Sequence, residues 1–174
     1  MDGIKDLLKD KVPTYSKKQQ QRLIEEACDE IGEHTYLTIC MEEIAELMEV
    51  IGDNKINKLD YYHTAEEITD VIISSEIIMV VCNIQEKEIG KTHKYKKNVD
   101  MTSVRNLSKA QQNISKYIRW HNSGFDKVIQ AVELMNDTVA SLIDHYHIKK
   151  KDVVKLRNIK FRRLEERLMM GTVH

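Results

Sequence analysis

Between Asp126 and Ile148, the residues Val128, Val132, Met135, Val139, Leu142 and Tyr146 recur in alternating steps of four and three, the seam of a helix packed nearly antiparallel against its neighbours. The rest of the chain divides by its start and stop signals. Ser16 and Gln19 have the Ser-x-x-Gln spacing of a capping box and predict a helix running to about Gly32. A second helix is predicted from about Thr35 to Ile51, where Gly52, Asp53 and Asn54 end it. A polar loop through His63 leads to a third, from about Thr64 to Glu86. Residues 87–105 are rich in Lys without clear periodicity and read as a solvated loop. Ser108 and Gln111 repeat the start signal for a helix to about His121, and Gly124 marks the next turn. The last helix, about Lys151 to Met170, carries Val153, Leu156, Phe161, Leu164 and Leu168, with Gly171 just past its end. The two openings SKKQQ and SKAQQ also raise internal duplication, although so short a match arises readily by chance.

Composition turns this series of helices into a fold class. One proline and six glycines in 174 residues leave little turn chemistry for a multi-strand fold, so the expectation is a single all-α domain with a helical-bundle architecture. The formal charge of −1 balances 27 basic against 28 acidic residues. No global field draws such a chain to nucleic acid or to an anionic membrane, and any recognition of a charged ligand must be local. Cys28, Cys40 and Cys82 are widely spaced in apolar sequence, which suits reduced core thiols. Met1 to Lys11 alternates charge with Ile4, Leu7 and Leu8 and lacks the apolar run of a signal peptide, which predicts a cytoplasmic protein. The most apolar run, Val71 to Ile84, is 14 residues long and includes Ser74, Ser75 and Glu76. It is too short and too polar to span a bilayer and reads as a buried central helix.

Four acids break the apolar pattern. On a helical wheel Glu42, Glu46 and Glu49 share the solvent side of the second helix, but Glu43 lies about 60° round from Glu46, in an arc with Ile39, Leu47 and Val50. A carboxylate on that surface needs a compensating partner. Glu67 and Asp70 then form one stripe with Ser74 on a third helix that is otherwise apolar on all sides. Each helix thus presents two carboxylates on adjacent turns, and the 20 residues between Glu46 and Glu67 allow the helices to return antiparallel and bring all four together. Taken singly, Glu67 could complete a capping box with Thr64, and Glu46 could be a solvated face residue. Taken together they would repel and protonate unless a cation held them ionised. Mg²⁺ suits such a set of hard oxygen ligands, with Mn²⁺ as a substitute; calcium would favour a loop with backbone carbonyls and zinc would want His or Cys.

At these residues the chain resembles the MazG-like superfamily of all-α nucleoside triphosphate pyrophosphohydrolases, which includes dimeric dUTPases, dCTPases and phosphoribosyl-ATP pyrophosphohydrolase. The shared motif is E-x-x-E, a spacer, then E-x-x-D, and it stands here as EEIAEL (Glu42 to Leu47) and EEITDV (Glu66 to Val71). KFRRLEERL (Lys160 to Leu168) is similar to the basic helix that closes many small bacterial and phage members. The resemblance covers residues 13–86 and 151–170 and leaves 87–150 as an additional segment, either a degenerate second half of the bundle or a wall of the base pocket. There Tyr117, Arg119, Trp120 and His121 are candidates to stack on a base, against the plainer reading of packing at a helix end.

The resemblance implies attack of a metal-activated water on an NTP or dNTP, giving pyrophosphate and a nucleoside monophosphate. Glu43, Glu46, Glu67 and Asp70 would be metal ligands, with Glu43 or Glu46 as general base and Asn158, Lys160 and Arg163 near substrate phosphate. It also implies a homodimer or higher homo-oligomer. The rival readings are a non-catalytic helical interaction or regulatory module, and a hydrolase of phosphoribosyl-ATP or another nucleotide derivative. A phosphate-binding loop is excluded, because Gly90-Lys91-Thr92 lacks the glycine that motif requires five residues before Gly90, where Gln85 stands. His145 and His147, two apart, do not share a helix face and make no zinc site.

Overall fold

A computed structural model describes residues 11–120 and 124–172. His121 and all of Met1 to Lys11 except Lys11 lie outside the described residues. Six α-helices are present among the described residues, and no strand. They are α1 (Lys17–Ile31), α2 (Glu33–Ile56), α3 (Tyr61–Val81), α4 (Val99–Arg119), α5 (Phe125–His145) and α6 (Lys150–Met170), with a short 3₁₀ turn at Glu86–Glu88. None is long and apolar enough to cross a membrane.

The predicted seam of α5 is the centre of the packing. Val128, Val132, Met135 and Leu142 are fully buried, Val139 nearly so, and Tyr146 packs at the edge. These side chains close an α4–α5 hairpin onto an α2–α3 hairpin, with α2 against α4 and α3 against α5, so the four helices form one bundle. Helices α1 and α6 pack against each other and against α3. One apolar cluster runs through all six, from Leu23 and Ile24 of α1 to Leu156 and Phe161 of α6.

Two local devices set the register that matters for the acids. At the α2–α3 turn, Asn54 Nδ2 donates to Thr64 Oγ1 at 2.8 Å and Asn54 Oδ1 accepts the Asp60 N–H at 3.2 Å, while Asp60 Oδ1 caps α3 by accepting the His63 N–H. The turn therefore cannot slip without losing several bonds at once. At the other seam, Ser16 and Gln19 form the predicted capping box of α1, the Tyr15 N–H donates to Asn158 Oδ1 at 3.2 Å, and the Tyr15 hydroxyl donates to Glu165 at 2.7 Å. These bonds fasten the entrance of α1 to the face of α6, and Arg157 of α6 donates to Glu76 of α3 at 2.6 Å, which holds α6 against α3.

Several sequence expectations are corrected. Ser108 opens no helix: α4 begins nine residues earlier at Val99, after Asn98 in the left-handed region (φ 49°), so the latter part of the Lys-rich segment is helical. The Ser16 and Ser108 signals are consequently not equivalent positions, and the match between SKKQQ and SKAQQ has no structural counterpart. Helix α2 runs through Gly52 to Ile56, because an exposed glycine inside a helix costs only about 1 kcal/mol relative to alanine and long tertiary packing outweighs it. Helix α3 starts at Tyr61 behind Asp60 rather than at Thr64, and ends at Val81 rather than Glu86.

The additional segment is thus not an appendage, since it supplies two of the four bundle helices. Ile114→Ala in α4, at a fully buried position, should cost about 2–5 kcal/mol and lower the melting of the whole domain in one transition, as followed by circular dichroism. Val154→Ala, which is 48% exposed on α6, should change it by less than about 0.5 kcal/mol.

Candidate metal centre

The α2–α3 turn brings Glu46 opposite Glu67 partway down the hairpin. One carboxylate oxygen from each of Glu43, Glu46 and Glu67 lies within 4.8 Å of the others. Glu46 stands at the exposed mouth, Glu43 is half-buried, and Glu67 is 6% exposed. Because α3 is capped by Asp60, Glu67 sits beyond the first turn and is no part of a capping box. Its Oε1 lies 3.4 Å from His63 Nε2, while its Oε2 is buried without a hydrogen-bond partner. A buried carboxylate oxygen with no donor is an unusual group that calls for an explanation.

The fourth predicted ligand is placed differently. Asp70 adjoins the triad but its Oδ2 accepts from Lys160 Nζ at 2.5 Å, and the same ammonium lies 3.2 Å from Glu66 Oε1. Of the four acids, three converge on a common point and the fourth is engaged by a cation of the chain itself. Neither Glu66 nor His63 was singled out by the sequence pattern. A signal was there, since Glu66 lies four residues before Asp70 and His63 four before Glu67, each on the same helix face as its neighbour.

Electrostatics follow from this crowding. Burial, then the charges of Asp70 and Glu46, push the Glu67 carboxyl up to about 8. Burial, again followed by Asp70 and Glu46, pushes Glu43 up to about 7. Asp70 is also raised by its burial, against the opposing charge of Lys160. Burial disfavours the Lys160 ammonium, but Asp70 and Glu66 outweigh it and hold the group above its ordinary value.

A cleft of about 580 Å³ opens beside the acids, with Glu43, Asp70 and Lys160 on one wall and Ile39, Ile73 and Phe161 among its apolar lining. Of Asn158, Lys160 and Arg163, only Lys160 lines it. Asn158 is buried and spends its carbonyl on the Tyr15 N–H, and Arg163 is half-buried. Tyr117 is not brought to the site: its hydroxyl lies 3.5 Å from Glu33, roughly 15 Å along α2 from Glu43. The Arg119 guanidinium lies 4.9 Å from the centre of the Trp120 ring.

The chemistry of the donor set fits a hard divalent cation. Three carboxylate oxygens converge, no cysteine belongs to the cluster among the described residues, and the orphaned Glu67 Oε2 supplies a buried acceptor that a cation would satisfy. Searches against protein-family models, curated proteins and solved structures find no match to this chain.

The raised carboxyls make stability depend on pH. Glu43 and Glu67 bind protons more tightly in the fold than at the ordinary value of 4.5, so the metal-free protein should lose stability as pH rises from about 4.5 towards 8, where both ionise. Between pH 5.5 and 8.5 the expected loss attributable to this pair is on the order of 3–5 kcal/mol, or roughly 6–20 °C in Tm, and millimolar Mg²⁺ should restore it at the alkaline end. Glu67→Gln should flatten the profile and raise the metal-free Tm at pH 8.5. A metal-free Tm that climbs across this range in the wild type but not in Glu67→Gln would contradict the assignment.

Proposed function

We propose that the protein is a nucleotide pyrophosphohydrolase that cleaves an NTP or dNTP between its α and β phosphates. The observation that carries the proposal is the convergence of Glu43, Glu46 and Glu67 on one point, with Glu67 Oε2 buried and unpartnered, at the edge of a largely apolar cleft. Support from the resemblance lies in the E-x-x-E and E-x-x-D pattern, of which these three residues are members.

In this reading Glu43, Glu46 and Glu67 hold Mg²⁺. When bound, the ion would neutralise triphosphate charge, orient the phosphate and lower the pKa of a water molecule. The chain supplies the rest. Glu43 belongs both to the triad and to the cleft wall, which makes it the carboxylate best placed to take the proton of the attacking water, ahead of the exposed Glu46. The apolar side chains of Ile39, Ile73 and Phe161 offer a surface for a base or sugar and keep bulk water from that wall. Lys160 places a fixed positive charge beside the position where phosphate would lie. A cytoplasmic homo-oligomer belongs to the same reading, by resemblance alone.

The test is a panel of ribo- and deoxynucleoside triphosphates with Mg²⁺, scored for both pyrophosphate and monophosphate. The expected result is equimolar release of the two from at least one nucleotide. Release of orthophosphate instead, or inactivity across the panel, rejects the proposal. Glu43→Gln should lower kcat by about 10²–10⁴-fold with its helical circular dichroism unchanged. Unaltered turnover in Glu43→Gln, Glu67→Gln and Asp70→Asn together would refute the site.

A further inference from the structure

Five carboxylates crowd this seam, Glu43, Glu46, Glu66, Glu67 and Asp70, and they are served unequally. At the Asp70 end, Lys160 Nζ contacts two of them, at 2.5 and 3.2 Å, with the lysine side chain 24% exposed and those of Asp70 and Glu66 11% and 19% exposed. At the other end, three oxygens converge within 4.8 Å and the 6%-exposed Glu67 keeps an unpartnered oxygen. One end has a lysine ammonium between two carboxylates; at the other His63 Nε2 lies 3.4 Å from Glu67 Oε1 and the buried Glu67 Oε2 has no partner.

Asp70 nonetheless lines the same cleft as Glu43 of the triad, together with Lys160. A carboxylate in that position is the natural bridge to a second ion, because paired divalent ions sit about 3.5–4 Å apart and share a ligand. The Lys160 ammonium already engages the Asp70 and Glu66 oxygens that a second ion would need. A divalent ion bound to Asp70 at about 2.0–2.1 Å would lie within a few ångströms of an ammonium already in contact with the same oxygen. Two cations at that distance in a half-buried site repel by several kcal/mol.

We propose that Lys160 is a built-in replacement for a second metal ion, so that the cluster takes one divalent cation, at Glu43, Glu46 and Glu67, and not two. The proposal rests on reading the triad as a metal site. It makes Lys160 a residue that sets metal stoichiometry, and it removes Asp70 from the ligands of the first ion.

Mn²⁺ alone, without nucleotide, is the probe, titrated calorimetrically and followed by electron paramagnetic resonance on the full chain. The wild type should bind one Mn²⁺ with an uncoupled spectrum. Lys160→Met, which keeps the length of the side chain and removes its charge, should bind two and show the exchange coupling of a close pair, while Lys160→Arg should stay at one. Asp70→Asn provides a second route should Lys160→Met fail to fold: it should retain one Mn²⁺ with affinity within about tenfold of the wild type, a change of at most about 1.4 kcal/mol. Two ions in the wild type, one ion in a folded Lys160→Met, or loss of binding in Asp70→Asn would each overturn this inference while leaving the metal site standing. No binding in the wild type would remove the metal site itself, and this inference with it.

Discussion

Carboxylate oxygens from Glu43, Glu46 and Glu67 lie within 4.8 Å of one another at the seam of two helices, an arrangement that electrostatics opposes. Left to themselves, ionised groups at that spacing would separate or take up protons, and burial already drives two of them towards the protonated form. What holds them is packing on either side of the seam. Ile44 and Leu47 of α2, with Ile68 and Val71 of α3, are all fully buried immediately beside the acids, so prising the helices apart would expose several large side chains. At about 1.5–3 kcal/mol for each such side chain, apolar burial outweighs a repulsion of a few kcal/mol. The strain is therefore confined to the carboxylates, where a cation can relieve it.

That confinement requires a stiff frame. A two-helix hairpin alone would bury only one face, and the second hairpin, α4–α5, closes the other. Asn54 ties the turn that sets Glu46 opposite Glu67, while the Tyr15 bonds to Asn158 and Glu165 and the Arg157 bond to Glu76 hold α6, which carries Lys160, against α1 and α3. The site is thus assembled by three separate attachments, two of which involve residues with no chemistry of their own. Asn158 belongs to this supporting set: it resembles a phosphate-binding position, but its carbonyl holds the entrance to α1.

The fold class and the acidic convergence were legible in the sequence for one reason: both depend on local periodicity. The α5 seam repeats in steps of four and three, and Glu43, Glu67 and Asp70 stand where that periodicity calls for apolar side chains. Where the reading went astray, long-range contacts had overridden local signals. Val99 to Arg105 looked like part of a lysine-rich loop because Lys87 to Lys97 dominates the window, yet Val99 and Ser103 are buried in the core. Gly52 looked like a stop because its effect on backbone entropy is local, whereas the packing that carries α2 onward is not. The partition of the acids was illegible for a related cause. Which carboxylate meets Lys160 depends on the rotation of a helix some 90 residues away, and no spacing within EEITDV encodes it.

Lys160 and Asp70 also bear on why the site is built as it is. A buried ion pair is a poor device for stability, because the desolvation of both groups offsets most of their attraction and an apolar pair of similar volume usually does as well or better. If stability alone shaped this position, an apolar contact between α3 and α6 would serve, as Ile68 and Phe161 serve elsewhere in the same core. The pair makes physical sense as part of the acidic cluster. A tethered ammonium lowers the accumulated negative charge at the Asp70 and Glu66 end of the cluster without entering the Glu43, Glu46 and Glu67 triad. The same charge opposes the upward shift of Asp70, Glu43 and Glu67, which keeps the triad easier to ionise than five carboxylates without it would be. The half-buried lysine is therefore better understood as a setting of the local charge than as a support of the fold.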